Sequence, residues 1–162
     1  MSFALSACGV QPPLPTVDYV DLPRFMGEWY VIANIPTFLE RGAHNAVESY
    51  ELAADGTIAT TFTFRDGAFD GPVRTYRPRG FVRSESNAIW GMQFIWPIKA
   101  DYRVIYLDDA YETTVIGREK RDFVWVMART PTIPERRYAE IVGLLTRVGY
   151  DVAALEPVPQ RW

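Results

Sequence analysis

The chain has 162 residues, of which 48% are hydrophobic, 14% aromatic and 23% charged. A single domain of this length buries roughly 70% of the surface that its unfolded chain exposes, so a hydrophobic core is expected. The formal net charge of −3 argues against a nucleic-acid-binding protein, which needs a surplus of Lys and Arg. With one cysteine, Cys8, and one histidine, His44, an intrachain disulfide and a Cys/His zinc site are excluded. We expect no metal and no cofactor.

Residues 1–17 are predicted to form a lipoprotein-type leader remnant and a proline-rich tether outside the packed core. The sequence Leu-Ser-Ala-Cys at residues 5–8 resembles the bacterial lipobox, in which the cysteine is lipidated after cleavage. Only seven residues precede Cys8 and none is basic, whereas a secretory signal has a charged start and about 7–15 apolar residues. The prediction is therefore lipidation of Cys8 in a natural chain that begins further upstream. The alternative is an accidental match and an inert, exposed thiol.

The remaining domain, residues 18–162, has the pattern of an all-β protein. Short runs rich in Val, Ile, Thr, Tyr, Phe and Trp alternate with turn residues at fairly regular intervals. Tight hairpin turns are indicated at residues 54–56, 65–67 and 121–122, which implies antiparallel, up-and-down order. Eight strands are predicted, at residues 29–35, 46–52, 57–64, 73–82, 88–94, 102–107, 113–117 and 123–128.

After the eighth strand the apolar spacing changes from two to three and four residues. Between Tyr138 and Val148 this spacing places the apolar side chains on one stripe of a helix. Pro134 suits a first helical turn and Gly149 suits a stop, so a helix is predicted at about residues 134–148. Eight strands are about the number at which a closed barrel can hold one small ligand. The predicted fold is an eight-stranded antiparallel β-barrel with a C-terminal α-helix packed outside.

Three motifs then occur in the order typical of the lipocalin family. Residues 27–30 read Gly-Glu-Trp-Tyr and match the Gly-x-Trp-Tyr signature, residues 101–108 stand where the family has its second characteristic block, and Arg129 follows the eighth strand. The sequences at residues 39–42 and 129–133 further resemble those of the bacterial outer-membrane lipoprotein branch, which is apolipoprotein D-like. The resemblance covers roughly residues 18–157.

The signature residues Gly27, Trp29 and Arg129 are interpreted as structural. Trp29 is expected to close the narrow end of the barrel from inside. Arg129 is expected to lay its guanidinium across the indole face while donating hydrogen bonds to carbonyls of the N-terminal segment. These residues identify the fold rather than the ligand.

The interior of the barrel follows from the alternation of side chains along strands. With Trp29 inward, Val31 and Ala33 are expected to point inward too. In the loop over the mouth, Phe38 and Leu39 are candidates for a lid. The alternative is a filled barrel, in which the interior rings pack only against each other. The predicted ligand-binding residues are Phe38, Phe62, Trp90, Met92, Phe94, Tyr102, Val104, Tyr106, Phe123, Trp125 and Met127.

Two further surface features have open alternatives. Arg74, Arg77, Arg79 and Arg83 either face a ligand phosphate or carboxylate near the entrance or form a solvated outer surface. The apolar loop at residues 95–99 is a candidate rim, membrane-contact patch or dimerisation patch.

The resemblance implies binding, storage or transport of a small hydrophobic ligand, a fatty acid or lysophospholipid, at the bacterial cell envelope. It implies an outer-membrane lipoprotein facing the periplasm, held by a lipid anchor on Cys8, with a homodimer left open and no nucleic-acid partner. Enzymatic activity is not expected, because the lipocalin isomerase uses a cavity thiol and Cys8 lies outside the predicted barrel. A haem or tetrapyrrole carrier is an alternative that lacks an evident inward histidine.

Overall fold

The computed structural model describes residues 10–162. Cys8, and with it the predicted lipidation site, lies outside the described residues. No helix within residues 10–162 is long and apolar enough to cross a membrane. The helices are α1 Leu22–Phe25 and α2 Glu135–Arg147; the strands are β1 Gly27–Ile35, β2 Ala43–Leu52, β3 Ile58–Asp66, β4 Val73–Tyr76, β5 Arg79–Val82, β6 Ile89–Ile95, β7 Ile98–Leu107, β8 Thr113–Gly117, β9 Val124–Ala128 and β10 Glu156–Pro157.

The strands form one antiparallel sheet that closes on itself, because β1 pairs with β2 on one side and with β9 on the other. β4 and β5 occupy a single position in the barrel, since both pair with β3. The predicted strand 73–82 is divided there because Pro78 cannot donate a ladder hydrogen bond. The two halves together make the count eight around the barrel, and β10 adds a short pairing to β1. The predicted eight-stranded barrel with a C-terminal helix is confirmed.

The helix α2 packs against the outside of the barrel. Its buried residues Ile141 and Leu145 contact a cluster that includes Val124 and Val126, the outward-facing residues of β9. Leu14 is only 3% exposed and belongs to the same cluster. The prediction that the proline-rich tether lies outside the packed core is therefore wrong at Leu14.

The narrow end of the barrel is closed by the stacking that the sequence predicts. The guanidinium of Arg129 lies 3.7 Å from the centroid of the Trp29 ring. It donates hydrogen bonds to the backbone oxygens of Arg24, Phe25, Glu28 and Tyr111 at 2.9–3.2 Å. Together the stacking and these bonds tie the α1 segment, β1 and the end of β9 into one closed base.

Two irregularities in the strand pairing change which side chains face inward. The register of β1 against β9 shifts between Val31 and Ala33, and Ala33 packs with the outer cluster beneath α2. The register of β7 against β8 shifts between Val104 and Tyr106. Tyr106 consequently packs with the outer cluster, and its hydroxyl accepts a hydrogen bond from Arg137 of α2. The predictions that Ala33 and Tyr106 point into the barrel are wrong, because a bulge reverses the alternation.

Candidate functional site

The barrel encloses a cavity of about 340 Å³ beneath the loop that joins β1 to β2. The predicted ligand contacts that line this cavity are Phe38, Phe62, Met92, Phe94, Tyr102, Phe123 and Trp125. Lining residues that the sequence analysis did not propose as ligand contacts are Thr37, Leu39, Glu40, Glu48, Tyr76, Ile95, Ala100, Asp101 and Arg118.

Four predicted contacts are not among the lining residues. Trp90, Val104 and Met127 point inward but are fully buried in the core of the barrel, where they pack against other side chains. Tyr106 lies on the outer face, as described above. The alternative of a filled barrel therefore applies to the lower part of the interior. The cavity lies in the upper part.

A pair of tyrosines separates the packed base from the cavity. The hydroxyl groups of Tyr50 on β2 and Tyr102 on β7 hydrogen-bond to each other across the interior. The ring of Trp90 stacks on Tyr102 with centroids 5.3 Å apart and meets Tyr50 edge-on at 5.7 Å. Burial raises the pKa of both tyrosines well above the ordinary value. Both hydroxyls therefore stay neutral at neutral pH, and we call this bridged pair the floor of the cavity.

Glu48 places a carboxyl group beside the floor. It lies between Ala46 and Tyr50 in the inward-facing set of β2 and is 7% exposed. Burial raises the pKa of Glu48 to about 8, opposed in part by a hydrogen bond with Tyr50 and reinforced by the charge of Glu40. The alternation within β2 is a sequence signal that could have placed Glu48 inside, because Ala46 and Tyr50 are apolar neighbours on the same face.

Glu40 adds a second carboxyl group from the loop over the mouth. It is 5% exposed, and its Oε1 accepts hydrogen bonds from the backbone N–H of Thr37 at 3.0 Å and from Nε1 of Trp125 at 2.9 Å. Burial raises the pKa of Glu40 to about 7, and the two hydrogen bonds oppose this shift. No sequence pattern could have identified Glu40, since a loop has no alternation to follow.

The two interior carboxyl groups differ from the charged groups at the rim in having no cationic partner. Among the described residues, none of the ion pairs within 4.0 Å includes Glu40 or Glu48. At the rim, Arg118 lies 3.4 Å from Asp122, and Asp101 lies 3.0 Å from Arg103.

The rim also carries exposed apolar side chains. Phe38 is 80% exposed, Phe94 50% and Ile95 73%, and all three line the cavity. Trp96 in the adjoining turn is 82% exposed. The buried polar groups at the floor and the exposed apolar groups at the mouth are the two features that depart from the usual distribution in a soluble protein.

The arginines of the fourth predicted strand belong to the outer surface. Arg74 pairs with Asp66 and Arg79 pairs with Asp55. Arg77 and Arg83 are likewise exposed, and none of the four lines the cavity.

His44 is also remote from the main cavity. Its Nδ1 lies 2.9 Å from the oxygen of Gly42, and its ring meets Phe69 edge-on. It is not among the residues that line the cavity. Within residues 10–162 no group of three or more His, Cys, Asp or Glu side chains is arranged to hold a metal ion.

Comparison with known proteins gives consistent matches over most of the chain. Residues 20–160 match the family described as "Lipocalin-like domain". Temperature-induced lipocalin-1 of Arabidopsis thaliana is 29% identical over 154 residues, covering 91% of this chain and 83% of that protein. Outer membrane lipoprotein Blc of Citrobacter freundii is 29% identical over 162 residues, covering 98% of this chain and 92% of that protein.

A solved structure agrees with the fold. Insecticyanin from the tobacco hornworm superposes with a TM-score of 0.71 at 13% identity, covering 93% of this chain and 86% of that chain. The barrel, its closed base and the family match over residues 20–160 lead to one conclusion: the chain belongs to the lipocalin-like domain family.

Proposed function

We propose that the barrel binds one small, single-chain hydrophobic molecule in the cavity between the tyrosine floor and the apolar rim. The observation that carries this proposal is the cavity of about 340 Å³, lined mainly by aromatic and aliphatic side chains. Ligand pockets typically measure about 300–1,000 Å³, so this volume suits a slender ligand at the lower end of that range. Fatty acids and lysophospholipids, the classes expected from the sequence, are single-chain amphiphiles.

A binding and transport role agrees with the family, whose barrels hold one small ligand. Met92 contributes a flexible, polarisable wall suited to an alkyl chain. The aromatic residues Phe62, Phe123 and Trp125 supply flat apolar surface on other sides of the cavity. These features support ligand transport rather than catalysis.

We further propose a position at the bacterial cell envelope. The relatives from Citrobacter freundii and Vibrio cholerae are named outer membrane lipoproteins. By analogy, a lipid on Cys8 would hold the barrel at the outer membrane, facing the periplasm. The test is the mass of the mature protein extracted from its native membrane: a diacylglyceryl group on Cys8 supports the anchor, and an unmodified Cys8 contradicts it.

A homodimer through the rim is a proposal of the same kind. The exposed side chains of Ile95, Trp96 and Ile98 offer apolar surface that a second copy could cover. Sedimentation of the wild type and of Trp96→Ser tests it. A dimer that dissociates on substitution supports the rim interface, and a monomeric wild type at high concentration rejects it.

The binding proposal is tested with protein from which bound lipid has been removed. Titration with dodecanol, which has a neutral head group, should change the intrinsic tryptophan fluorescence saturably, on the order of micromolar concentration. Trp125→Phe should remove most of this response because Trp125 lines the cavity. The matched control Trp162→Phe should retain it, since Trp162 is 70% exposed. An unchanged spectrum with dodecanol, together with no small molecule in a solvent extract of the purified protein, would reject the proposal.

A further inference from the structure

We propose that the cavity selects single-chain amphiphiles whose head group carries a cationic nitrogen, with the nitrogen beside Glu48 and Glu40 and the chain directed toward the mouth. This inference rests on the proposed function, because it specifies the ligand class of the same cavity.

The first argument is the uncompensated carboxyl pair. Glu40 and Glu48 are 5% and 7% exposed, both line the cavity, and each lacks a cationic partner among the described residues. Taking a carboxylate out of water is unfavourable unless a counter-charge or hydrogen-bond donors replace the water. Glu40 has two donors, Thr37 and Trp125, whereas the hydroxyl of Tyr50 near Glu48 hydrogen-bonds to Tyr102. An ammonium group from a ligand would supply the missing positive charge.

The second argument is the aromatic wall around these carboxyl groups. Tyr102 and Trp125 both line the cavity. Tyr102 stacks with Trp90 and with Trp125, at centroid distances of 5.3 and 6.2 Å, which leaves the indole of Trp125 as the aromatic surface next to Glu40. The indole of Trp125 is tied to the carboxyl group of Glu40. Aromatic faces attract alkylammonium groups, and this attraction strengthens when the cation is removed from water. Carboxyl groups combined with aromatic faces therefore favour a cationic nitrogen over a neutral polar head.

The third argument concerns the orientation of the ligand. The carboxyl group of Glu48 lies beside the floor, and that of Glu40 reaches inward from the loop over the mouth to Trp125. The rim, by contrast, carries the exposed apolar side chains Phe38, Phe94 and Ile95. The rim cation Arg118 lies 3.4 Å from Asp122, which offsets its charge, although its Nε makes no hydrogen bond to any described residue. A ligand that enters with its nitrogen first would place its chain against the apolar rim.

A carboxylate head would be poorly tolerated in the same place. A fatty acid inserted head first would bring a third acid group next to Glu40 and Glu48. An ionised head group would then either meet like charges in a poorly solvated site or require both interior carboxyl groups to stay protonated. A fatty acid inserted chain first would leave its alkyl end against the hydroxyl groups of Tyr50 and Tyr102 and the carboxyl group of Glu48. Neither orientation matches the polarity of the cavity as well as a cationic nitrogen does.

Binding of a cationic nitrogen should also move protons. Burial raises the pKa of Glu48 to about 8 and that of Glu40 to about 7, so Glu48 in particular is largely protonated in the empty cavity at neutral pH. An ammonium group beside a carboxyl group favours its ionised form. Protons should therefore be released when the ligand binds. Calorimetric titration in two buffers of different ionisation enthalpy measures this release directly.

The experiment compares three ligands with the same dodecyl chain and different heads: dodecylamine, dodecanol and dodecanoate. Each is titrated below its micelle concentration into lipid-free, full-length protein at about pH 7, where the amine is protonated. The variant Glu48→Gln removes the ionisable group with little change in shape. Glu51→Gln on the same strand is the matched control, because it makes the same chemical change at an exposed position.

We expect dodecylamine to bind at least about tenfold more tightly than dodecanoate, with dodecanol between them. Glu48→Gln should lower the affinity for dodecylamine by about tenfold or more and leave the affinity for dodecanol nearly unchanged, while Glu51→Gln should change neither. Proton release should disappear or fall by half in Glu48→Gln. A thermal unfolding scan of each variant confirms that the protein being titrated is folded.

Two outcomes would overturn the proposal, and they are distinguishable. If dodecanol binds but dodecanoate binds as tightly as dodecylamine, or if Glu48→Gln leaves the amine-to-alcohol affinity ratio unchanged, the cavity is a lipid site without selection for a cation. If none of the three ligands binds to the folded, lipid-free protein, the proposed binding function itself fails, and the ligand class fails with it.

Discussion

The indole Nε1 of Trp125 donates a hydrogen bond of 2.9 Å to Oε1 of Glu40, which links the last barrel strand to the loop over the cavity mouth. The same oxygen accepts a hydrogen bond from the backbone N–H of Thr37 within that loop. The loop is therefore held with its acidic side chain buried, while its apolar side chains Phe38 and Leu39 border the cavity and remain partly exposed. The carboxyl group of Glu40 thus connects the cavity wall at Trp125 to the loop over the mouth.

Replacing Trp125 should affect ligand binding more than stability. Trp125→Ala removes an aromatic surface of the cavity and the donor to Glu40, so the affinity for dodecanol should fall by about tenfold or more. The fold should persist, because Trp125 is only half-buried and borders open space. Calorimetric titration measures the affinity without depending on tryptophan fluorescence. Unchanged affinity in this variant would remove Trp125 from the binding site.

Replacing Trp29 should have the reverse effect. Trp29 is fully buried, stacks under Arg129 and donates from Nε1 to the oxygen of Phe25 at 2.9 Å. Trp29→Ala should lower the free energy of unfolding by about 3–5 kcal/mol, because it leaves a void in the packed base. Urea denaturation followed by circular dichroism measures this loss. Equal losses of stability in Trp29→Ala and Trp125→Ala would contradict the division between base and cavity.

The sequence predicted the fold more completely than the site. Strand alternation identified the interior on β3 and β9 because those strands keep a regular period of two. On β6 it held as far as Met92, beyond which the pairing with β7 shifts. It was wrong at Ala33 and Tyr106, because a bulge inserts one residue and reverses the faces beyond it. Such bulges depend on pairing between distant strands, which a single sequence does not display.

The depth of the cavity was equally hidden from the sequence. Trp90 and Tyr102 are both inward aromatic residues, yet Trp90 lies in the packed base and Tyr102 faces open space. The difference arises from the hydrogen bond between Tyr50 and Tyr102, which sets the height of the floor. Glu40 was unpredictable for a similar reason, since only the folded loop brings it to Trp125.

The buried acids predict an unusual dependence of stability on pH. Glu40 and Glu48 have an ordinary pKa of 4.5 and folded values of about 7 and about 8. Between these limits the unfolded chain loses protons that the folded chain retains, so the free energy of unfolding should fall as pH rises from about 5 to about 8. Below that window both states are protonated, and above it both are ionised, so these two groups contribute no further slope. Urea denaturation across the range measures the effect.

The variants assign the pH effect to particular residues. Glu48→Gln cannot ionise and should flatten the slope over the upper part of the window, whereas the exposed control Glu51→Gln should keep it. A stability that rises with pH across this range in the wild type would show that the interior carboxyl groups are stabilised as anions.

Arg129 should be irreplaceable by lysine although the charge is preserved. Its planar guanidinium stacks on Trp29 and donates to several backbone oxygens at once, which a single ammonium group cannot reproduce. Arg129→Lys should lower the free energy of unfolding by about 2 kcal/mol, because several backbone carbonyl groups lose their donor and Trp29 loses its stacking partner. The control is Arg136→Lys on α2, where the exposed pair with Glu140 is worth less than about 0.5 kcal/mol. Similar urea midpoints for the two variants would contradict the conclusion that Arg129 stabilises the closed end of the barrel.

Two glycine substitutions should change stability in opposite directions. A Cβ at Gly117 would lie 2.7 Å from the hydroxyl of Tyr150 and 3.1–3.2 Å from side-chain carbons of Ile105 and Leu14. Tyr150 is held by hydrogen bonds with the backbone of Arg118 and Phe123, so it cannot move aside freely. Gly117→Ala should therefore destabilise the protein by about 1–3 kcal/mol.

At Gly143, within α2, the nearest atom to an added Cβ is the flexible end of Arg147 at 3.3 Å. Gly143→Ala should stabilise the protein by about 0.5–1 kcal/mol, because alanine restricts the unfolded chain and favours the helix. Thermal unfolding of both variants beside the wild type gives the comparison. If Gly117→Ala melts at the wild-type temperature, the N-terminal segment and Tyr150 are packed less tightly on the barrel than their contacts indicate. If Gly143→Ala melts lower, the Arg147 side chain is fixed where it now lies.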